Sequence, residues 1–515
     1  MRNASAKGRL HTRQTRSVAE LLAEVPGGLL IGNGGTTVQG IAYDSRDVRP
    51  GDLFCALVGG YFDGHDYVDS AVQHGAKAVI VEREVAVSVP QIVVNNSRAV
   101  LAPISAAFFG HPSHSIPVVG ITGTDGKTTT SYMLESIFTH AGYRTGVLGT
   151  ITVRVGGKVL DVDTRQTTPE STDVQRHLSS MVESGADIAI VEATSHGLDL
   201  HRLDSVDFAT AAVTNITHEH LEHHKTIDAY RRAKAKLFEA VDATGGSAIV
   251  NLDDEGARSL LPYAKRSRVL TYGLDRQDAD IAATNIELSA DGSRYVLWCD
   301  GNREEVETLA VGRFNVANAA CAVAVARAHD ISLETCATAL GRFVGVPGRM
   351  EPVRNGQPFA VIVDYAHTPE SVDKVLSLLR SLTPSGRIVL VMGSAGERDP
   401  SKRPLQGAVG ARLADFCVFT TEDPRFENPD EIIHQIAAGA IAIGAVEGQD
   451  YFCVTDRRDA IEFALSSARE GDCVLLAGKG HERSIIWGHE KQPWDEAAVA
   501  AEILTELGFE KFETR

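Results

Sequence analysis

Val118-Val119-Gly120-Ile121-Thr122-Gly123-Thr124-Asp125-Gly126-Lys127-Thr128-Thr129-Thr130 is the stretch from which the rest of the chain is read. A β-branched apolar run enters a glycine-rich turn, and a lysine with three threonines leads into a helical pattern. A strand, turn and helix in that order point backbone N–H groups and the positive end of the helix at one anion, with the lysine as a mobile charge. The strict P-loop spacing is missed, because Ile121 stands where its first glycine belongs. Gly-Lys-Thr between a strand and a helix still points to a nucleoside triphosphate. Gly123, Thr124, Asp125, Gly126, Lys127, Thr128 and Thr129 form the expected binding loop. A glycine turn of purely structural use is the alternative.

The 515 residues exceed what one hydrophobic core supports, so several domains are expected. With 43% apolar and 23% charged residues, the composition is that of a soluble globular chain. A net charge of −18 argues against general nucleic-acid affinity. The seven cysteines are scattered without a C-x-x-C pair, which suggests neither a disulfide framework nor a zinc knuckle. The polar, arginine-bearing residues 1–16 lack an apolar core and read as a disordered tail, not a signal peptide. No run approaches the roughly 20 apolar residues of a membrane span. A cytoplasmic protein is expected.

Turn chemistry divides the remainder. Ser17 to Leu22 looks like a capped helix start, Arg49 to Phe54 a turn, Cys55 to Val58 and Ala78 to Val81 strands. This small N-terminal α/β domain, 17–115, ends in the loop Pro112 to Ser115. In 116–346, strands at Val118 to Thr122, Thr145 to Leu148, Ile188 to Glu192, Thr210 to Asn215 and Ala248 to Leu252 alternate with helices. That pattern implies a mostly parallel sheet of P-loop ATPase type. Val346-Pro347-Gly348-Arg349 opens a Rossmann-like C-terminal domain, 347–515. Its strands are expected at Ala360 to Asp364, Ile388 to Met392, Phe416 to Thr420 and Cys473 to Ala477. The fold class is therefore α/β, in three domains.

In such sheets the carboxyl ends of the strands form the ligand crevice. Glu192 closes a buried strand, and Thr210 to Asn215 runs into a loop holding His218, Glu219, His220, Glu222, His223 and His224. These belong near the triphosphate. Mg²⁺ on hard oxygen ligands, with a hydroxyl from Thr128, is one reading; zinc on the histidines and a solvated polar loop are the others. The C-terminal domain carries four charged, turn-rich loops, each after a predicted strand, at Gly393 to Asp399, Lys402 to Pro404, Asp423 to Arg425 and Gly478 to Glu482. Together they mark a substrate cleft.

Taken in order, these stretches resemble the Mur ligase family, ATP-dependent amide-forming enzymes of peptidoglycan precursor synthesis. The resemblance spans Gly123 to Thr128, Thr167-Thr168-Pro169, Glu192-Ala193-Thr194-Ser195-His196 and Thr214-Asn215 with the His220 loop. It continues through Tyr230 with Lys234 and Phe238, Gly312 to Asn315 with Asn318, and Gly348 to Glu351. Asp364 to Pro369, Lys402 to Pro404 and Gly478 to Glu482 complete it. It implies that ATP phosphorylates the terminal carboxylate of a UDP-MurNAc-dipeptide, L-Ala-D-Glu, and that a free diamino acid attacks the acyl phosphate. Lys127 would hold the β/γ-phosphates and Thr128 one Mg²⁺. Glu192, His220 and a carbamylated Lys234 would hold a second. Asn318, Arg349 and Asp364 match the adenine and phosphate region. Asp44, Ser45 and Arg46 match the uridine-nucleotide site, and Thr167, Thr168, Ser195 and Arg202 the dipeptide contacts. Arg398, Asp423, Arg425, Gly478 and Glu482 match the diamino-acid pocket. The expected partners are small molecules only, and the chain is expected to be a monomer.

The departures bear on selectivity. Asp125 replaces the usual Asn, Glu219 and Glu222 replace aspartates, Leu200 replaces a polar residue, and Ser394-Ala395 a more glycine-rich turn. Glu422-Asp423-Pro424-Arg425 stands where meso-diaminopimelate enzymes carry Asp-Asn-Pro-Arg. Arg425 can pair bidentately with a distal carboxylate, whereas Asp423 would repel one and favour the plain ammonium of L-lysine or L-ornithine. Meso-diaminopimelate is the favoured substrate of the three. A folylpolyglutamate- or cyanophycin-type ligase, a P-loop kinase or GTPase, and a non-catalytic Mur-like binding subunit are the further alternatives.

Overall fold

The structure is a computed structural model that describes residues 14–59, 62–161, 166–217, 221–289 and 292–509. It contains two compact units. One comprises Met1–Ala283, Leu297–Glu304 and Ala317–Ala339; the other comprises Thr284–Val296, Glu305–Val316 and Leu340–Arg515. No described helix is long and apolar enough to cross a membrane.

The first unit holds two sheets. In the N-terminal one the strands run in the order Leu29–Ile31, Gln91–Val93, Ala78–Val81, Asp52–Cys55, Gly40–Ala42. All its pairings are parallel except that of the first strand. The strand expected at Cys55 to Val58 lies three residues earlier. Arg-Pro-Gly-Asp reads as a turn, yet the Asp52 carboxylate accepts the Arg49 N–H at 2.9 Å, which ends the turn and frees Asp52–Cys55 to pair. Arg16, expected in the tail, already pairs with Val38; residues 1–13 lie outside the described residues. Ser17 caps the first helix, with Glu20 closing a reciprocal capping box.

The central sheet places Val118–Thr122 between Ile188–Glu192 and Phe208–Val213, all parallel. All five residues of Val118–Thr122 are buried, as a strand covered on both faces requires. Outward on one side lie Thr145–Leu148 and a hairpin, Val153–Val155 with Lys158–Asp161. On the other lie Ser247–Asn251, Arg268–Leu274 and the start of Ile281–Ser289. The strand expected to reach Asn215 stops at Val213; the Thr214 N–H still donates to the Thr122 carbonyl at 3.0 Å, while its hydroxyl turns to the Asp125 carbonyl at 2.5 Å. The Tyr43 hydroxyl meets Asp173 at 2.5 Å and Arg98 meets Glu170 at 2.8 Å, which ties the N-terminal sheet to the central one.

In the second unit the strand order is Glu351–Pro352, Ala360–Asp364, Cys473–Ala477, Ile388–Met392, Phe416–Phe419, Tyr451–Cys453, parallel beyond the first pair. Apolar clusters fill both faces of this sheet. Such an order changes direction at Cys473–Ala477 and Ile388–Met392, and loops after those strands gather at one edge.

Candidate active site

Three adjacent strands of the first unit end in the phosphate-binding loop, Glu192 and Thr214-Asn215. The loop is built from its neighbours. Thr124 N–H donates to the Asn215 carbonyl at 2.8 Å, and Asp125 N–H to Asn215 Oδ1 at 2.9 Å. Gly126 has a φ of 88° and precedes the helix Lys127–His140; a Cβ there would overlap Asn318 Oδ1. Asn318 thus packs against the loop itself. The Asp125 side chain is exposed, and its backbone makes the loop's contacts. The Lys127 ammonium donates to the Gly123 and Thr124 carbonyls at 2.9 and 2.8 Å, which holds it folded over the loop.

Glu192 is 1% exposed. Its Oε2 accepts the Thr128 hydroxyl at 2.9 Å and the Thr150 hydroxyl at 2.8 Å. Thr150 also reaches Thr167 Oγ1 at 3.1 Å. A carboxylate and three hydroxyls therefore converge, a set of hard oxygen donors that suits Mg²⁺. Thr150 was not singled out from the sequence; its place two residues past Thr145–Leu148, at a strand's carboxyl end, was the available signal. His220 lies outside the described residues. Lys234 is 1% exposed, and its amine donates to the Gly123 carbonyl at 2.8 Å and lies 4.6 Å from the Tyr230 ring centre. The Tyr230 hydroxyl in turn meets Thr124 Oγ1 at 3.0 Å. Lys234 is not the surface charge that a helical lysine usually is: the helix Ile227–Thr244 directs it at the phosphate loop.

The other expected substrate contacts of this unit fall in two places. Thr168 Oγ1 donates to the Glu192 carbonyl at 2.8 Å and so fixes the end of that strand. Arg202, nearly buried, donates to the Thr168 carbonyl and to Glu170, and Glu170 also takes Arg98. Ser195 Oγ is buried and makes no hydrogen bond among the described residues. Asp44 and Arg46 form an exposed ion pair in the N-terminal domain, with Ser45 buried between them.

In the second unit, Asp364 is buried. Its oxygens accept the Met350 and Ala366 N–H groups at 2.8 Å each. Burial raises its carboxyl above the usual range, and Arg349 opposes that rise. Asp364 thereby holds the turn that presents Arg349, whose guanidinium lies 4.9 Å from the Tyr365 ring centre. The His481 ring lies tilted against the same tyrosine at 4.8 Å; burial and the neighbouring cations Arg349, Arg483 and Lys479 push it down to about 4.

The charge balance around Asp423 bears on one sequence expectation. Lys479 is fully buried, and its ammonium donates to Asp423 Oδ1 at 2.8 Å and to Glu482 Oε2 at 2.6 Å. Asp423 Oδ1 also accepts the Ile486 N–H at 3.0 Å. Lys479 thus offsets part of the Asp423 charge, a single ammonium being shared by two carboxylates, and the expected repulsion of a distal carboxylate is weakened. Arg425 has a φ of 53°, and its backbone is stitched to Ile486 and Gly488. Its Nε has no hydrogen-bond partner among the described residues. Arg398 is exposed on the loop after Ile388–Met392, and Gly478, with a φ of 104°, donates its N–H to the Asp364 carbonyl. Arg403, expected as a cleft cation, is buried on Glu427 and Gln435 and serves structure. The sequence reading also passed over Arg457, which is buried with Glu496 and donates to the Thr421 and Ala477 carbonyls, bracing two site strands from beneath.

Comparison with known proteins gives three family matches along the chain: "Mur ligase family, catalytic domain" over residues 37–109, "Mur ligase middle domain" over 121–326, and "Mur ligase, glutamate ligase domain" over 348–480. A UDP-N-acetylmuramyl-tripeptide synthetase of Roseiflexus sp. is 44% identical, covering 92% of this chain and 95% of its own. A UDP-N-acetylmuramoyl-L-alanyl-D-glutamate–2,6-diaminopimelate ligase of Bacillus velezensis is 39% identical, covering 91% and 95%. Among solved structures, a ligase of that same name superposes with a TM-score of 0.69 at 29% identity, covering 96% of this chain and 99% of its own.

Proposed function

The chain belongs to the Mur ligase family, and we propose that within it the chain adds meso-diaminopimelate to UDP-MurNAc-L-Ala-D-Glu. It is an ATP-dependent acid–amino-acid ligase. The observation that carries the reading is the meeting of the phosphate loop, the Glu192 hydroxyl cluster and the buried Lys234 amine at the ends of adjacent parallel strands.

Phosphoryl transfer asks the protein mainly for positioning and charge neutralisation. The loop N–H groups of residues 123–128 and the start of Lys127–His140 cradle the phosphates. Lys127 exchanges its two carbonyl partners for phosphate oxygens and neutralises the charge that moves to ADP. Thr128, Thr150 and Glu192, with His220 and a carbamylated Lys234, are the residues that would hold Mg²⁺, which when bound draws negative charge from the transferring group. Arg202 and Ser195 orient the dipeptide so that its terminal carboxylate oxygen takes the γ-phosphoryl group. Arg425 then holds the distal carboxylate of the diamino acid. Its free amine attacks the acyl carbon, the C–O bond to phosphate breaks, and the amine nitrogen gives up a proton as the amide forms.

Two considerations favour meso-diaminopimelate over L-lysine or L-ornithine: the names of the relatives and the internal pairing of Asp423 with Lys479. The division into 17–115, 116–346 and 347–515, a monomeric state and a cytoplasmic place belong to the same proposal, as do the uridine-nucleotide role of Asp44, Ser45 and Arg46 and the adenine-side role of Asn318, Arg349 and Asp364. Phosphate release tests it. Turnover should require Mg²⁺-ATP, UDP-MurNAc-L-Ala-D-Glu and meso-diaminopimelate together; nucleotide binding without turnover for any of the three diamino acids would refute the ligase reading.

A further inference from the structure

Three side chains of the first unit form a second donor set, chemically unlike the Glu192 cluster. Asp199 closes the short helix Ser195–Asp199, and His223 and His224 close Leu221–His224. One ligand atom from each lies within 4.8 Å of the other two. His223 Nε2 stands 3.0 Å from Asp199 Oδ2. The His223 and His224 rings meet edge to face at 4.6 Å, and the His196 ring lies 4.3 Å from one and 5.5 Å from the other. Two imidazoles and a carboxylate suit a borderline ion better than Mg²⁺, which prefers oxygen throughout. With bonds of about 2.0–2.1 Å, tetrahedral zinc holds its ligand atoms roughly 3.3 Å apart, close to the His223–Asp199 spacing already in place. His224 is buried, whereas the Asp199 and His223 side chains keep 40% and 31% of their exposure, so an ion has a path from solvent.

We propose that Asp199, His223 and His224 bind one zinc ion, with His196 or a water at the fourth position, separately from the Mg²⁺ of the ligase reaction. Lys236 bears on its strength. The Lys236 ammonium lies 3.4 Å from Asp199 Oδ1, which leaves Oδ2 for the ion but opposes its charge. The ion's position has a structural consequence. Ser195 begins the helix that Asp199 ends, and His224 lies 5.3 Å from Tyr230, the partner of Thr124. Zinc here braces the dipeptide side of the site against the wall of the phosphate loop.

The test uses the full chain, stripped of metal and held in saturating Mg²⁺, titrated with Co²⁺ and then Zn²⁺ by calorimetry and visible absorption. One equivalent is expected, with the intense visible bands of a four-coordinate cobalt site. Asp199→Asn with His223→Gln should weaken it at least tenfold, while Glu192→Gln leaves it in place. Lys236→Met, which removes the opposing charge along with the ammonium's weak bonds to the Leu198 and Asp199 carbonyls, should tighten it severalfold. The proposal is overturned if no equivalent binds, or if the one that binds is lost in Glu192→Gln and indifferent to Asp199→Asn with His223→Gln. A Lys236→Met variant that binds no more tightly would overturn the assigned geometry.

Discussion

Replacing Lys479 with methionine isolates the charge balance on which the diamino-acid pocket rests. The ammonium is fully buried between Asp423, itself 4% exposed, and Glu482, whose side chain keeps 34% of its exposure. Removing one partner of a buried ion pair costs about 3–5 kcal/mol, because the other charge stays buried alone. Two features move the figure toward the lower end. Ile486 N–H continues to donate to Asp423, and Glu482 can turn to water. Lys479→Met should therefore destabilise the second unit by about 3 kcal/mol. Asp423→Asn alone should cost less than about 1 kcal/mol, since the amide oxygen still accepts from Ile486 and Glu482 still pairs Lys479. Together the two changes should cost about 1 kcal/mol, a coupling of at least 2 kcal/mol. Urea unfolding followed by tryptophan fluorescence reads this out in a Trp298→Phe background. Trp298 belongs to the first unit and is 39% exposed, so the remaining tryptophans, Trp487 and Trp494, report the second. A single-variant cost under about 1 kcal/mol without coupling would refute the buried pairing.

Arg425→Ala should raise KM for meso-diaminopimelate by about 10- to 100-fold, the worth of about 1.5–3 kcal/mol of charge-assisted bonding, with little change for L-lysine; equal small effects would remove Arg425 from selectivity. Gly126→Ala forces a Cβ onto Asn318 at a φ of 88°, so KM for ATP should rise at least tenfold and stability should fall by about 1–3 kcal/mol, read by steady-state kinetics and thermal unfolding. His481 is held down at about 4 against an ordinary value of 6.5. The unfolded chain therefore binds its proton first, and stability is whole above pH 6.5 and declines as pH falls toward 4. His481→Gln should flatten that decline in urea midpoints measured across the range; an unchanged slope would show another group responsible. Lys234→Met should abolish turnover while leaving ATP binding within threefold; retained turnover would remove Lys234 from the reaction.

Strands buried on both faces were legible because a continuous apolar run leaves little choice: Val118–Thr122, Thr145–Leu148, Ile188–Glu192, Ala360–Asp364, Ile388–Met392 and Cys473–Ala477 fall where expected. The phosphate loop was legible for a related reason, since its glycines and lysine are adjacent in sequence. Pairings between distant residues were not. Asp423 and Lys479 are separated by 56 positions, Tyr43 and Asp173 by 130, and Arg457 and Glu496 by 39. Read alone, Asp423 is a charge facing substrate; only the fold supplies the lysine that it shares with Glu482. Asp52 was misplaced because a short polar residue after Pro-Gly ends a turn and begins a strand at once. Ordered motifs carried the family resemblance across most of the chain, whereas the assignment of single residues within it depends on neighbours that sequence spacing does not reveal.

The identity of the amine decides which tripeptide the enzyme makes. The most direct measurement gives the enzyme Mg²⁺-ATP, UDP-MurNAc-L-Ala-D-Glu and equal concentrations of meso-diaminopimelate, L-lysine and L-ornithine, and weighs the UDP-linked product by mass spectrometry. The expected result is the diaminopimelate tripeptide in large excess, lost in favour of a mixture in Arg425→Ala. A lysine or ornithine product from the unaltered enzyme would contradict the role assigned to Arg425 and the reading of the pocket built on it.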